Sequence, residues 1–291
     1  MSDVVSGVNE LTQLIPEVWS ANIYDQLRAD DSLLANYFSK EYQGEISSLG
    51  DTVKVTSVKS IEGQILTDDK EIFDSEEFQT EQFNLVVNKR AVASYKFTDL
   101  AQLQSINFQA EAQKAMLHAI RKRMEQDIID TLAANVSTST PDHSLAATGS
   151  LAASDIQDMN ELFDKQFIPR GADSRTLFLD PSYYNSLLLL EQIASRDYTN
   201  SGSAETGVIN NFLGMRIVMH NLLSNKVGYL AHPSALQIAM QQGVRVKVSD
   251  LHVKGQFGYM ISADMVYGIK IPDGSDAAAG NKRYIEIAAD N

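Results

Sequence analysis

The longest run of regularly spaced hydrophobic residues lies between residues 99 and 135, a stretch without Gly or Pro. Thr98 and Asp99 stand at its start, where their side chains can cap a helix. The spacing predicts one helix of about 30 residues, about 45 Å long at 1.5 Å per residue. Apolar residues that recur every four positions drift around a helix, so this spacing favours a helix lying across a sheet over a heptad coiled coil. The apolar positions recur at helical spacing at Phe108, Ala112, Met116, Ile120, Met124, Ile128 and Leu132.

The segment before this helix has the composition and alternation of β-strands. Val53, Val55 and Val58 are separated by Thr, Lys and Ser after a Gly-Asp turn, and residues 82–97 form a second strand-like run. Two such arms predict a long β-hairpin that projects from the body of the protein.

Acidic residues crowd between the two arms, with Lys70 as the one opposing cation. A block of like charge is usually a solvated face, whereas on a projecting hairpin it can also be a contact surface for a basic patch on a neighbour. Both interpretations stay open. The acids are Asp68, Asp69, Glu71, Asp74, Glu76, Glu77 and Glu81.

The rest of the chain mixes short helices and strands. Residues 1–20 predict a loosely held arm that Pro16 interrupts, with Trp19 as a packing anchor near its end. The second half predicts a mixed α+β protein. Its expected elements are a helix over 155–167 capped by Ser154 and ended by Pro169-Arg170-Gly171, a strand at Thr176–Leu179, a turn and N-cap at Asp180, a helix over 183–193, a strand at Met215–Met219, and alternating strands from Val244 to Ile271.

Composition narrows the functional classes. The 291 residues include 44% hydrophobic and 21% charged residues, which is typical of a folded domain. The net charge of −14 argues against a protein that wraps free duplex DNA. Cys is absent, which excludes disulfides, thiolate metal sites and Cys nucleophiles. No basic start with an apolar run and no stretch of 18 apolar residues is present, so we expect a soluble protein without a cleaved signal or membrane segment.

No catalytic, cofactor-binding or metal-binding motif emerges, and the chain is not expected to be an enzyme. Residues 207–214 lack the glycine spacing and the Lys-Ser/Thr of a phosphate-binding loop, and no nucleophile elbow is present. Glu125, Asp127 and Asp130 lie on the long helix, where solvation is expected over metal ligation. No two histidines have the spacing of a helical metal site; they are His118, His143, His220, His232 and His252.

The order of these segments resembles the major capsid proteins of tailed bacteriophages, which have the Hong Kong 97-type fold. The resemblance extends over residues 14 to 272 and joins weak local motifs in a specific order. It is carried by the arm exit IPEVWSANIYDQLR, the loop start EYQGEISSLGDTVKV, the long helix at about 99–135, the strand-helix element LFLDPSYYNSLL, the stretch GVINNFLGMRIVMHNLL, the strand and helix AHPSALQIAM, and the late strand VYGIKI.

The resemblance implies a division of the α+β chain into five parts. These are an N-terminal arm and first helix (1–40), an extended β-hairpin loop (41–97), a peripheral domain with a long spine helix (98–171), an axial domain (172–250), and return strands of the peripheral domain with the C-terminus (251–291). The axial domain would gather about the five-fold and quasi-six-fold axes of a shell.

The resemblance also implies intersubunit contacts through the extended loop. Lys59 and Lys70 could cross-link, but no matching Asn or Glu is found, so no cross-linking is predicted. The arm before Pro16 is too short for a scaffolding segment, so a scaffold would be a separate protein or be removed beforehand. The acidic contact residues, with Lys70 among them, are Asp68, Asp69, Lys70, Glu71, Asp74, Glu76 and Glu77, and their candidate basic receptors are Lys89, Arg90, Arg121, Lys122, Arg123, Lys282 and Arg283.

The function implied is that of a structural protein that self-assembles, as pentamers and hexamers, into an icosahedral phage head around double-stranded DNA. The DNA is enclosed without sequence-specific binding, and scaffolding, portal and decoration proteins are further candidate partners. The expected location is the virion, after assembly in the host bacterial cytoplasm. Two alternatives remain: an encapsulin-like nanocompartment shell, and an unrelated intracellular enzyme.

Overall fold

The computed structural model describes residues 34–40, 52–58, 80–98, 108–134, 136, 144–147, 149–190, 209, 211–250, 258–272 and 283–289. The predicted N-terminal arm with Trp19 and the predicted acidic contact residues lie outside these ranges. The α-helices of the described residues are α1 (Phe108–Ala134), α2 (Ala153–Lys165) and α3 (Pro181–Leu188), and short 3-10 helices lie at Leu34–Asn36 and Pro233–Ala235. The strands are β1 (Thr52–Val58), β2 (Thr80–Val86), β3 (Lys89–Thr98), β4 (Ser144–Ala147), β5 (Thr176–Leu179), β6 (Asn211–Phe212), β7 (Met215–Met219), β8 (Val227–Ala231), β9 (Gln237–Asp250), β10 (Gly258–Lys270) and β11 (Tyr284–Ala289).

The long helix α1 lies against a three-stranded antiparallel sheet of order β3-β10-β9. Its 27 residues extend about 40 Å. Met116, Ile120, Met124 and Ile128 are fully buried within one hydrophobic core that also contains sheet residues. The helix on a sheet was therefore predicted correctly from the four-residue steps, and residues 99–107 of the predicted helix lie outside the described ranges.

The predicted hairpin is present, but its second arm is shorter than expected. Strands β1 and β2 pair antiparallel from Thr52 opposite Val86 to Val58 opposite Thr80. The second predicted arm, 82–97, breaks after β2, and β3 pairs with β10 instead. The physical reason is burial: Ala91 and Phe97 of β3 belong to the core beneath α1, which holds this strand in the body of the protein.

A second sheet of six strands has the order β4-β11-β8-β5-β7-β6. Strands β5 and β7 are parallel, and β11 is parallel to β4 and antiparallel to β8. Helices α2 and α3 share a separate core with this sheet, in which Ile156, Phe163, Tyr183 and Leu187 are fully buried. The predicted strands Thr176–Leu179 and Met215–Met219 are confirmed.

Helix boundaries in this unit were predicted in part. Asp180 caps α3 as expected, with its carboxylate accepting from the backbone N–H groups of Ser182 and Tyr183 at 3.1 and 3.0 Å. Ser154 is not the cap of α2, because the helix begins two residues earlier than predicted, at Ala153, with Ala152 as its N-cap. The Asp155 carboxylate accepts from the Ala152 N–H at 2.9 Å and supplies the capping interaction. Helix α3 ends at Leu188, five residues before its predicted end.

Strand pairing groups the chain differently from the predicted boundary at residue 250. Strand β9 falls within the segment 172–250, yet it pairs along β10 in the three-stranded sheet. Val244 and Val246 of β9 are buried in the core beneath α1, which explains this position. Strands β4 and β11, in turn, lie in the six-stranded sheet.

Candidate intersubunit surfaces

The acidic half of the predicted contact, Asp68 to Glu77, lies outside the described residues, whereas most of its basic candidates are described. They lie on two elements. Lys89 and Arg90 begin β3, and Arg121, Lys122 and Arg123 lie on α1.

The arginines on α1 are engaged within the chain. Arg121 Nε donates to Glu125 Oε1 at 3.1 Å, and Arg123 forms an ion pair with Asp127 at 2.9 Å. Each pair spans one helical turn, a spacing that could have been found in the sequence. The expectation that Glu125 and Asp127 are solvated is wrong: both are buried, while Asp130 is exposed.

Two residues that are distant in the sequence contact these buried carboxylates. The Tyr267 hydroxyl donates to Asp127 Oδ2, and His220 Nε2 stands 3.4 Å from Glu125 Oε2. Burial, together with this hydrogen bond to Asp127, raises the pKa of Tyr267. These contacts fasten α1 to β10 and to the end of β7. Arg121 and Arg123 thus contribute to the packing of the helix, and Lys122 is exposed.

Arg90 belongs to an ion triad across the three-stranded sheet. Asp264 of β10 is buried, and its Oδ2 accepts from Arg90 Nε and from Arg245 of β9, both at 2.7 Å. Two cations share one carboxylate, so the triad retains one positive charge. Both guanidinium groups are about half exposed on the outer surface, at 51% and 41%.

The triad is part of a larger basic surface. Cross-strand neighbours of an antiparallel sheet share a face, and Met260 of β10 lies opposite Lys96, as Ser262 lies opposite Lys247. Lys96 and Lys247 are exposed. We name this surface the cationic sheet face: Arg90, Lys96, Arg245 and Lys247, with Asp264 as its acid. Sequence reasoning found Arg90 but missed the other three cations, because their neighbourhood depends on the pairing of strands far apart in the chain.

Among the described residues, the remaining basic candidates are not members of the cationic sheet face. Lys89 is half-buried at the start of β3, and Arg283 donates to Ser234 Oγ at 2.9 Å beside β11. Lys282 lies outside the described residues.

A fully buried arginine in the six-stranded unit also escaped sequence reasoning. Arg175 donates to Asn160 Oδ1 and to Asp164 Oδ1, each at 2.6 Å, and to the Ile168 carbonyl oxygen. Hydrogen bonds from Arg170 and Arg175 lower the pKa of Asp164 to about 2. This network fixes the C-terminal end of α2 against the start of β5. An isolated Arg before an apolar strand carries no sequence signal for such a role.

Among the described residues, no group of three or more His, Asp and Glu side chains has the arrangement of a metal site. The helices within the same ranges include none that combines the length and apolar character needed to cross a membrane.

Comparison with known proteins identifies the relatives of this fold. The sequence profile of the phage capsid protein family matches residues 36–272, which is most of the chain. The chain belongs to the phage capsid protein family. It is a structural major capsid protein, and its place is the virion capsid. A comparison with curated protein sequences gives no match.

Solved structures similar to this capsid protein are also from phages. A structure from Mycobacterium phage Che8 is 19% identical, with a TM-score of 0.70 over 88% of this chain and 91% of that one. The capsid structure of Cyanophage P-SCSP1u is 14% identical, with a TM-score of 0.67 over 84% and 85%. The capsid of Ralstonia phage GP4 is 11% identical, with a TM-score of 0.65 over 87% of each chain. The mixed helix-and-sheet architecture of this capsid protein is thus that of phage capsid structures.

Proposed function

We propose that this capsid protein assembles, as pentamers and hexamers, into an icosahedral head that encloses double-stranded DNA in a bacterial host cytoplasm. The observation that carries the proposal is the agreement of the family profile over residues 36–272 with capsid structures that cover most of both chains. Scaffolding, portal and decoration proteins are its further candidate partners.

The fold supports an assignment of the Hong Kong 97 type. In this assignment α1 is the spine helix, and α1 with the three-stranded sheet forms the peripheral domain. The six-stranded sheet with α2 and α3 forms the axial domain, and β1 with β2 is the root of the extended loop. The strand pairing supports assigning β9 to the peripheral domain and β4 and β11 to the axial domain.

Electron microscopy of the expressed protein, with its co-encoded head genes, tests the shell. We expect closed particles that protect double-stranded DNA from added nuclease. Particles that contain a cargo enzyme and no DNA would support the nanocompartment alternative, and a compact monomer would contradict both shells. The charge of −14 favours enclosed DNA, because an acidic wall does not bind the packaged polymer.

Within this shell, the acidic segment 68–81 is proposed to bind the cationic sheet face of a neighbouring subunit. The segment has seven acids and one Lys, a net charge of −6. The cationic sheet face contains four cations and one acid. Complementary charge of this kind sets register and suppresses wrong contacts.

A charge swap tests this contact. Replacing Asp68, Asp69 and Glu71 with Lys should weaken assembly while the subunit stays folded. The pair K96E and K247E on the receptor should weaken assembly as well, and combining both sets should restore it.

The control is the pair K114E and K122E on α1, which makes the same charge change on exposed positions. It should leave assembly unchanged. If the α1 variant assembles poorly and the K96E and K247E variant assembles normally, the receptor for the acidic segment lies on α1 instead. Normal particles from the Asp68, Asp69 and Glu71 variant would contradict the contact altogether.

A further inference from the structure

Two large apolar residues of the six-stranded unit occupy left-handed backbone conformations. Phe167 follows α2 with a φ of 58°, and Leu213 stands between β6 and β7 with a φ of 50°. This region is costly for residues with a Cβ, and Gly is its usual occupant. The Phe167 N–H donates to the Asp164 carbonyl at 3.0 Å and the Ile168 N–H to the Phe163 carbonyl at 3.1 Å, so Phe167 occupies the glycine position of a Schellman motif.

Intramolecular packing of the Phe167 side chain does not offset this backbone strain. Its side chain is 95% exposed, although aromatic side chains are among the largest contributors to protein cores. The ring faces solvent at the end of a helix. Strain that is retained without an intramolecular benefit points to a function.

The backbone around Phe167 and Leu213 is held rigidly by the Arg175 network. Arg175 binds Asp164 and the Ile168 carbonyl on either side of Phe167. It also binds the Asn160 amide oxygen at 2.6 Å, and Asn160 Nδ2 donates to the Leu213 carbonyl at 3.3 Å. One buried guanidinium therefore fixes both strained segments relative to each other. Such preorganisation lowers the entropic cost of a contact.

We propose that Phe167, with Leu213 on the segment that the same network holds, is an anchor that inserts into an apolar surface on a second copy of this chain. The anatomy is that of an interface centre: an exposed aromatic residue beside the surface ion pair of Arg170 and Asp164, which supplies a polar rim. A second copy is the occupant because a capsid protein is surrounded by copies of itself.

The same unit also exposes two apolar side chains, each a candidate receptor for such an anchor on the second copy. Leu189, after α3, is 84% exposed, and Met219, at the end of β7, is 51% exposed. A contact between two different surfaces of one chain can repeat around a ring. The inference rests on the proposed shell and adds to it a residue-level contact.

Replacement of Phe167 by Gly separates contact from stability. F167G removes the ring and relieves the backbone strain, so the melting temperature of the unassembled subunit should stay the same or rise. Assembly should fall, with the protein concentration required for particles raised about tenfold or more, the range of interface anchors. The matched control is K226G, which relieves the same strain at a φ of 58° in a polar turn residue. It should assemble like the wild type.

Particles of F167G at the wild-type concentration would overturn the proposal. A photoreactive benzoylphenylalanine at position 167 provides the second readout, since it keeps an aromatic ring there. Its cross-links, mapped by mass spectrometry, should join position 167 to a second copy near Leu189 or Met219. Cross-links to another protein, or none between copies, would also overturn it. Failure of the wild type to form particles would contradict the proposed shell instead, and cross-linking of the soluble oligomers would still decide the contact.

Discussion

Gly268 of β10 lies so close to Val86 of β2 that a Cβ atom at position 268 would stand 2.4 Å from the Val86 carbonyl oxygen. This approach seats the root of the hairpin on the outer face of the three-stranded sheet. Val53, Leu85, Val87 and Val266 are buried beside it in a small separate core. Position 268 therefore requires glycine, because any side chain there would collide with the backbone of Val86.

The first prediction concerns this contact. G268A should lower the free energy of unfolding by about 1–3 kcal/mol, because the hairpin root must move away from the sheet. Chemical denaturation of the unassembled subunit measures the change. G171A is the control, since a Cβ at position 171 would meet nothing within 4 Å. Equal stability of G268A and the wild type would show that the hairpin is not seated as described.

The second prediction concerns the buried carboxylate of α1. D127A leaves the buried Tyr267 hydroxyl without its acceptor and should cost about 1–3 kcal/mol of unfolding free energy. D130A, on the exposed side of the same helix, should change the stability by less than about 0.5 kcal/mol. Thermal and chemical unfolding of both variants provide the comparison. If the two substitutions change the free energy of unfolding equally, the hydrogen bond between Asp127 and Tyr267 does not stabilise the fold as described.

The third prediction is a pH dependence caused by Asp164. Its pKa is lowered to about 2 in the folded protein by Arg170 and Arg175. A lowered folded pKa contributes stability that is present above the unfolded pKa of about 3.9 and is lost as the pH falls towards the folded value. Unfolding curves should therefore show decreasing stability from about pH 4 to pH 2. D164N should be less stable at neutral pH and should flatten the dependence in that window, and an unchanged slope would contradict the assignment.

The fourth prediction concerns salt. A contact between the acidic segment and the cationic sheet face should weaken as the Debye length shrinks from about 10 Å at 0.1 M salt to about 3 Å at 1 M. The concentration required for assembly should rise with sodium chloride, and light scattering measures it. The K96E and K247E variant, which has lost this attraction, should show a smaller salt dependence. An identical dependence in both proteins would place the salt-sensitive contact elsewhere.

Local patterns predicted the elements whose causes are local. The four-residue steps from Met116 to Ile128 identified the long helix, and the Asp180-Pro181 pair identified the start of α3. The burial of Asp127 was not predictable, because its partner Tyr267 stands 140 residues away. The same holds for the cationic sheet face, since Lys247 joins it only through the pairing of β9 with β10. Phe167 was predicted to continue the helix, because a residue with a side chain rarely adopts the left-handed backbone conformation that ends the helix at this position.

The position of β11 has a consequence for how a subunit is made. This strand, Tyr284–Ala289, lies between β4 and β8, so the six-stranded sheet has its latest-synthesised strand in its interior. The ribosome must therefore produce the chain as far as Ala289 before the described sheet can close. A polypeptide released before Tyr284 leaves β8 unpaired on one side and separated from β4. Premature termination thus yields chains that cannot complete the unit bearing Phe167, and we expect such chains to lack the contact proposed for that residue.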